Sequence, residues 1–246
     1  PGDKVYKVVH GKAVLAAVIG ASPAQEGFNI IASHIDSPRL DFKQTPLYED
    51  INLALAKTHY YGGIKKYQWV TIPLAIHGTV ILKDGRKVKI HLGDKEGDPC
   101  FVITDLLPHL AHEQMAKKAN ELVTGEGLNV LLGSLPLAPE EEKGREKAEA
   151  QSAEEEAKNK YGADPVKAHL LKLLEETYGV AEEDLVSAEM EVVPAMAAKD
   201  VGFDRSLVGG YGQDDRVCSY AALQAFLEIP ERPERTSMIY FSDKEE

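Results

Sequence analysis

Cysteine is scarce: Cys100 and Cys218 are the only two in 246 residues. They are too few for a disulfide scaffold, and neither lies in a C-x-x-C pair. Positive charge is also short, with 28 Lys and Arg against 40 Asp and Glu, a net charge of −12 and a pI near 5.2. That balance argues against nucleic acid and anionic membranes as partners, since both select basic patches. No apolar run approaches the ~20 residues needed to span a bilayer, and no signal peptide is visible. The chain begins with Pro1 rather than Met, so the natural N-terminus is expected upstream. What remains is an acidic chain, expected to be soluble and cytoplasmic, whose 43% hydrophobic content suffices for one or two domains.

Short periodic runs organise the chain. Tyr6, Val8, Val14, Ala16 and Val18 alternate around His10-Gly11-Lys12, which predicts a hairpin. A second hairpin is predicted from Thr79-Val80-Ile81-Leu82 through Asp84-Gly85 to Val88, Ile90 and Leu92. The continuous apolar run at 28–32 reads as a strand buried on both faces. Apolar residues recur at helical spacing over 104–122, with Pro108 in the first turn. Residues 140–160 are nearly all Glu, Lys, Ala and Arg, as in a solvated helix or a mobile loop. Asp164-Pro165 opens a helix with apolar face Leu170, Leu171, Leu173 and Leu174, stopped by Gly179. The hairpin-rich stretch between about Asp41 and Met196 does not continue the strand-to-helix logic begun before His34. An inserted domain over 42–196 is therefore expected, within an α/β domain formed by 1–41 and 197–246.

Three short motifs flank that insertion. Ser33-His34-Ile35-Asp36-Ser37-Pro38 follows an apolar strand, Gly212-Gln213-Asp214-Asp215-Arg216 opens a helix, and Glu245-Glu246 follows the run Ser237-Met238-Ile239-Tyr240-Phe241. Zinc takes nitrogen from His and oxygen from carboxylates at about 2.0–2.2 Å. Two ions about 3.5–4 Å apart need a ligand whose two oxygens bridge them. Asp214, at a helix start, is placed to do so, with Asp215 as the alternative. His34 sits beyond a strand's carboxyl end, where open α/β sheets hold their ligands. Asp36, two residues on, shares its face and can accept the ring N–H, fixing the tautomer. Adjacent glutamates in an extended segment diverge, so one can bind metal while the other takes a proton from water.

These segments, with Tyr61-Gly62-Gly63 and Leu207-Val208-Gly209-Gly210-Tyr211, resemble the M18 family of zinc aminopeptidases, the aspartyl-aminopeptidase-like group of the M28/M42 metallopeptidase clan. The resemblance implies a mixed-sheet catalytic domain interrupted by a β-rich dimerisation domain. It implies cleavage of N-terminal residues, acidic ones among them, from peptides. Two zinc ions per subunit are implied, with Co2+ or Mn2+ as substitutes. His34 and Glu246 would then be zinc ligands, Asp214 the bridge, Glu245 the general base and Asp36 the residue orienting His34. The family's two further ligands, an Asp and a His, lie well beyond its Glu-Glu pair, so this chain is expected to be the N-terminal part only. The insertion implies homo-oligomers, up to a tetrahedral dodecamer. Pro108-His109-Leu110-Ala111 resembles the segment that lends a histidine to a neighbouring active site, which singles out His109 or His112. The Gln213-Asp214-Asp215 sequence departs from the family's usual Leu-Asp-Asn and is closer to the related M42 group. An M42-like aminopeptidase or deacylase, or a non-catalytic oligomerising relative, is the alternative.

Overall fold

The computed structural model describes residues 1–137, 155 and 158–246; of the charged stretch 140–160, all but residues 155 and 158–160 lie outside the described residues. The chain divides into two units, Pro1–Pro38 with Ala198–Glu246, and Arg39–Ala197. In chain order the strands are β1 (Lys4–Val9), β2 (Ala13–Val18), β3 (Asn29–His34), β4 (Arg39–Asp50), β5 (Leu53–Tyr61), β6 (Leu74–Ile81), β7 (Lys87–Leu92), β8 (Val130–Gly133), β9 (Glu189–Pro194), β10 (Lys199–Val201), β11 (Leu207–Gly209) and β12 (Ser237–Ser242). Among the described residues the helices are α1 (His112–Met115), α2 (Pro165–Tyr178) and α3 (Gln213–Leu227), and residues 158–161 are helical as well. This is a mixed α/β fold built on several sheets.

In the first unit the strand order is β1-β2-β12-β3. The expected opening hairpin forms, and its turn places His10 at φ 52 and Gly11 at φ 73. The last strand, β12, inserts between β2 and β3, antiparallel to the first and parallel to the second, with Ser242 opposite His34. Helix α3 packs on β3 and β12 over a core of Ala222, Ile239 and Phe241, flanked by Val14, Ala16, Ile35 and Phe226. The run at 28–32 departs from expectation. Phe28, Ile30 and Ile31 are exposed, the last two on opposite faces of β3, the outer strand of its sheet.

The second unit is an antiparallel sheet of six strands in the order β7-β6-β9-β4-β5-β8. Leu40, Leu74, Val80, Ile103, Leu128, Val130 and Val192 fill its core. Helix α2 spans the predicted stretch and ends on Gly179 in the left-handed region at φ 67. Its start is held differently from expectation. The Asp164 side chain makes no cap, and Glu49 Oε2 on β4 accepts the Val166 and Lys167 N–H groups at 2.8 and 3.0 Å. Its buried face is Val166, Ala168 and Leu171, while Leu173 is exposed. The helix expected over 104–122 shrinks to the single turn α1. Leu106, Leu107, Leu110 and Met115 all remain exposed there, so no apolar face is buried to stabilise a longer helix. Among the described residues, no helix is long and apolar enough to cross a membrane.

Candidate metal centre

The first unit gathers the three motifs at one end of its sheet. Parallel β3 and β12 end side by side, delivering His34 from one and the segment 243–246 from the other. This is the carboxyl edge where such sheets place their ligands. The N-terminus of α3 supplies the third motif. Gly212, at φ 81, is the residue before the helix, and a Cβ there would meet Ser37 Oγ at 3.0 Å. Glycine therefore lets the helix start close against the His34 loop. Asp214 and Asp215 have non-helical dihedrals.

His34 is the centre of the cluster. Its Nδ1 lies 3.0 Å from the backbone carbonyl of Asp36 and 3.4 Å from Asp36 Oδ1. The carbonyl can only accept, so it assigns the ring proton to Nδ1 and leaves Nε2 with its lone pair outward. Nε2 lies 3.3 Å from Asp214 Oδ1 and 3.7 Å from Glu245 Oε2. Asp214's carboxylate is largely exposed, whereas Asp215 is engaged with the backbone, its Oδ2 accepting the His34 N–H at 3.4 Å.

Asp36 has a second attachment. Its side chain is almost fully buried, and Oδ1 and Oδ2 accept the N–H groups of Glu245 at 3.2 Å and Glu246 at 3.3 Å. One carboxylate therefore ties both glutamates to the histidine loop. The electrostatics follow from this crowding. Burial alone would lower the His34 pKa, but the Asp36 carbonyl and the carboxylates of Glu245, Asp36 and Asp215 outweigh it and raise the value above normal. Burial pushes the Glu246 carboxyl up; His34 opposes that, while Asp214, Glu245 and Asp36 add to it. A cluster with this surplus of negative charge is stabilised by a proton or by a cation.

The donors fit zinc in type and, for one pair, in spacing. Two ligands on a tetrahedral ion with bonds of about 2.0–2.1 Å lie about 3.3–3.4 Å apart, which is the His34 Nε2 to Asp214 Oδ1 separation of 3.3 Å. Among the described residues, however, no group of three or more His, Cys, Asp or Glu side chains is arranged to hold an ion by itself. His109 and His112 are exposed residues of the second unit, one preceding α1 and the other its first residue.

Positioning residues that sequence reasoning missed also appear. Ser219 Oγ on α3 donates to the His34 carbonyl at 3.0 Å and lies 2.8 Å from Ser33 Oγ. Tyr211 donates its hydroxyl to the Pro38 carbonyl at 2.7 Å. The one available signal was spacing, since Ser219 follows Asp215 by one helical turn and shares its face.

With this geometry established, comparison with known proteins is decisive. A family model described as Aminopeptidase I zinc metalloprotease (M18) matches residues 1–246. The chain belongs to the M18 family. It is 50% identical over 245 residues to a probable M18 family aminopeptidase 1 of Clostridium acetobutylicum, covering 100% of this chain and 48% of that protein. The crystal structure of the M18 aminopeptidase from Thermotoga maritima is 48% identical, with a TM-score of 0.83, covering 98% of this chain and 48% of that one. An aspartyl aminopeptidase of Caenorhabditis elegans is more distant, 27% identical over 236 residues, covering 93% of this chain and 47% of that protein. The chain thus spans about half the length of the M18 relatives it matches.

Proposed function

We propose that this chain carries the histidine, bridging-aspartate and double-glutamate part of a two-zinc aminopeptidase that removes N-terminal residues, acidic ones included, from peptides. The observation behind the reading is the state of His34: Nδ1 is satisfied by the Asp36 carbonyl, and Nε2 faces Asp214 Oδ1 at the spacing of a zinc tetrahedron's edge. His34, Asp214 and Glu246 would hold zinc. Asp214 suits the bridge better than Asp215, because Asp214 Oδ1 is the oxygen that faces His34 Nε2, at 3.3 Å, whereas Asp215 Oδ2 turns to the His34 backbone N–H. When bound, zinc supplies Lewis acidity towards a scissile carbonyl and an attacking water.

The chain's own residues do the rest. Glu245 Oε2 stands 3.7 Å from His34 Nε2 with its carboxylate about half exposed, within reach of a water at the same site. It takes that water's proton and returns it to the leaving amine. Asp36 holds the Glu245 and Glu246 backbone in place while its carbonyl sets the His34 tautomer. Residues 42–196 act as the dimerisation domain of a cytoplasmic homo-oligomer, with 1–41 and 197–246 as part of the catalytic domain. His109 or His112 reaches a neighbouring subunit's site.

Glu245→Gln in the full-length protein tests the assignment. Turnover should fall by about 10²–10⁴-fold, the usual cost of losing a general base, while zinc content by elemental analysis stays near normal. Loss of zinc in Glu245→Gln together with its retention in Glu246→Gln would reverse the two roles.

A further inference from the structure

Outside the candidate centre, the described residues of the second unit include a pair of facing histidines with an aspartate nearby. His77 on β6 and His91 on β7 are directly opposed in the antiparallel register. Their Nδ1 atoms lie 3.0 Å apart, with ring planes inclined at 53°. Asp94 follows β7, and its Oδ2 lies 3.6 Å from His77 Nε2. Gly93 makes that return possible: it has φ 109, and a Cβ there would come within 2.8 Å of Ala75 Cα. Its N–H is also fixed by Asp98 Oδ2 at 3.0 Å, which holds the turn that carries Asp94.

We propose that His77 and His91 form a two-imidazole site for a divalent transition metal, with Asp94 as the carboxylate behind the first ligand. The proposal does not rest on the peptidase reading. Asp94 Oδ2, at 3.6 Å, is beyond hydrogen-bond distance, but its negative charge favours the proton on His77 Nε2 and so leaves His77 Nδ1 as a lone pair. His91 Nδ1–H then donates to it, and a metal ion takes the place of that single shared proton. A carboxylate on the far nitrogen of a ligating histidine is the arrangement that orients the ring and raises its basicity.

With the Nδ1 atoms 3.0 Å apart and the ring centroids 5.3 Å apart, the two nitrogens face each other head-on, so a bound ion turns both rings towards itself. Two imidazole nitrogens suit Ni2+ and Cu2+, which take nitrogen donors and stand high in the affinity order of the divalent ions. Two protein donors leave the remaining coordination positions to water, and the His77 and Asp94 side chains are 26% and 46% exposed, which admits it.

The test uses the full-length protein titrated with Ni2+ by calorimetry, with Cu2+ electron paramagnetic resonance as a second readout. One Ni2+ per chain should disappear in His77→Gln and in His91→Gln and persist in His34→Ala, which alters only the candidate zinc centre. Asp94→Asn should weaken that ion about 10–100-fold without abolishing it. The Cu2+ spectrum should show coupling to two imidazole nitrogens, reduced to one in either glutamine variant. Thermal melts without metal should match the parent, since both histidines are at least partly exposed. Unchanged Ni2+ stoichiometry in the two glutamine variants, or a Cu2+ spectrum indifferent to them, would overturn the site. Failure of Glu245→Gln to lose turnover would bear on the peptidase reading and leave this one untouched.

Discussion

Asp36→Asn probes the connection that holds the candidate centre together. The aspartate presents two oxygens, each accepting one backbone N–H, from Glu245 at 3.2 Å and Glu246 at 3.3 Å, while Oδ1 also faces His34 Nδ1 at 3.4 Å. Asparagine keeps the shape and one acceptor, but its amide turns two hydrogens towards whichever N–H it faces. One charge-assisted hydrogen bond is lost, about 1.5–3 kcal/mol, and a donor is set against a donor in a pocket where the side chain is 1% exposed. The Asp36 backbone carbonyl, which sets the His34 tautomer at 3.0 Å, is untouched. The histidine should thus remain a competent donor while the glutamates lose register. The expected result is zinc affinity down about 10–100-fold, the usual cost of removing an outer carboxylate, measured by chelator competition on the full-length protein. At saturating zinc, turnover should stay reduced, because Glu245 is held by the same carboxylate. Asp215→Asn is the control: its bond to the His34 N–H is a marginal 3.4 Å, so its effect on affinity should be the smaller of the two. Asp36→Asn with zinc affinity and turnover within about threefold of the parent would refute the idea that this carboxylate organises the site.

Other consequences are separable from the chemistry. Glu49→Gln should weaken the caps on Val166 and Lys167 at the start of α2 and cost about 0.5–2 kcal/mol in denaturant unfolding; an unchanged midpoint would show the helix start needs no cap. The exposed Glu175 carboxyl is held below its ordinary pKa by hydrogen bonds from Lys160 and then Tyr161. A lowered carboxylate pKa stabilises the fold above the unfolded value, and that contribution fades as pH falls through the lowered folded value. The stability difference between the parent and Glu175→Gln should accordingly shrink on acidification, and a difference that widens below the carboxylate range would contradict the assignment. Mixing a His109→Ala, His112→Ala protein with Glu245→Gln should restore activity in mixed oligomers if either histidine serves a neighbouring subunit. No gain over the two parents, with subunit exchange verified by mass, would remove both from that role.

What the sequence made legible depends on how far each residue's partner lies along the chain. Both hairpins were readable because their turns are local: Gly11 and Gly85 adopt positive φ, at 73 and 86, where the dipeptides asked for it. The end of α2 was equally local, with Gly179 in the left-handed region closing onto the Glu175 carbonyl. Its start was not, because the true cap is Glu49, 117 residues from Val166. The stretch 104–122 shows the converse failure: helical spacing was present, but periodicity says nothing about whether a surface exists to bury Leu106, Leu107 or Met115. The strand before His34 failed in the same way, since its burial depends on what lies on either side of β3 and not on its own apolar run.

The candidate centre lies between these extremes. Its residue types could be read from three short motifs, because zinc and proton transfer restrict the choice to His, Asp and Glu. Its arrangement could not, because β12 slots in beside β3 from the far end of the chain and sets Ser242 opposite His34. Asp36 shows the limit most clearly. Spacing suggested that its carboxylate orients the histidine, yet the nearer contact to Nδ1 is its backbone carbonyl, at 3.0 Å against 3.4 Å. The carboxylate also accepts the Glu245 N–H, 209 residues away. A residue assigned a role from its neighbour two positions off thus serves a strand end that no local pattern could place beside it. That dual attachment explains why one small acidic side chain is buried among other carboxylates: two backbone N–H groups supply the hydrogen bonds that water would otherwise provide.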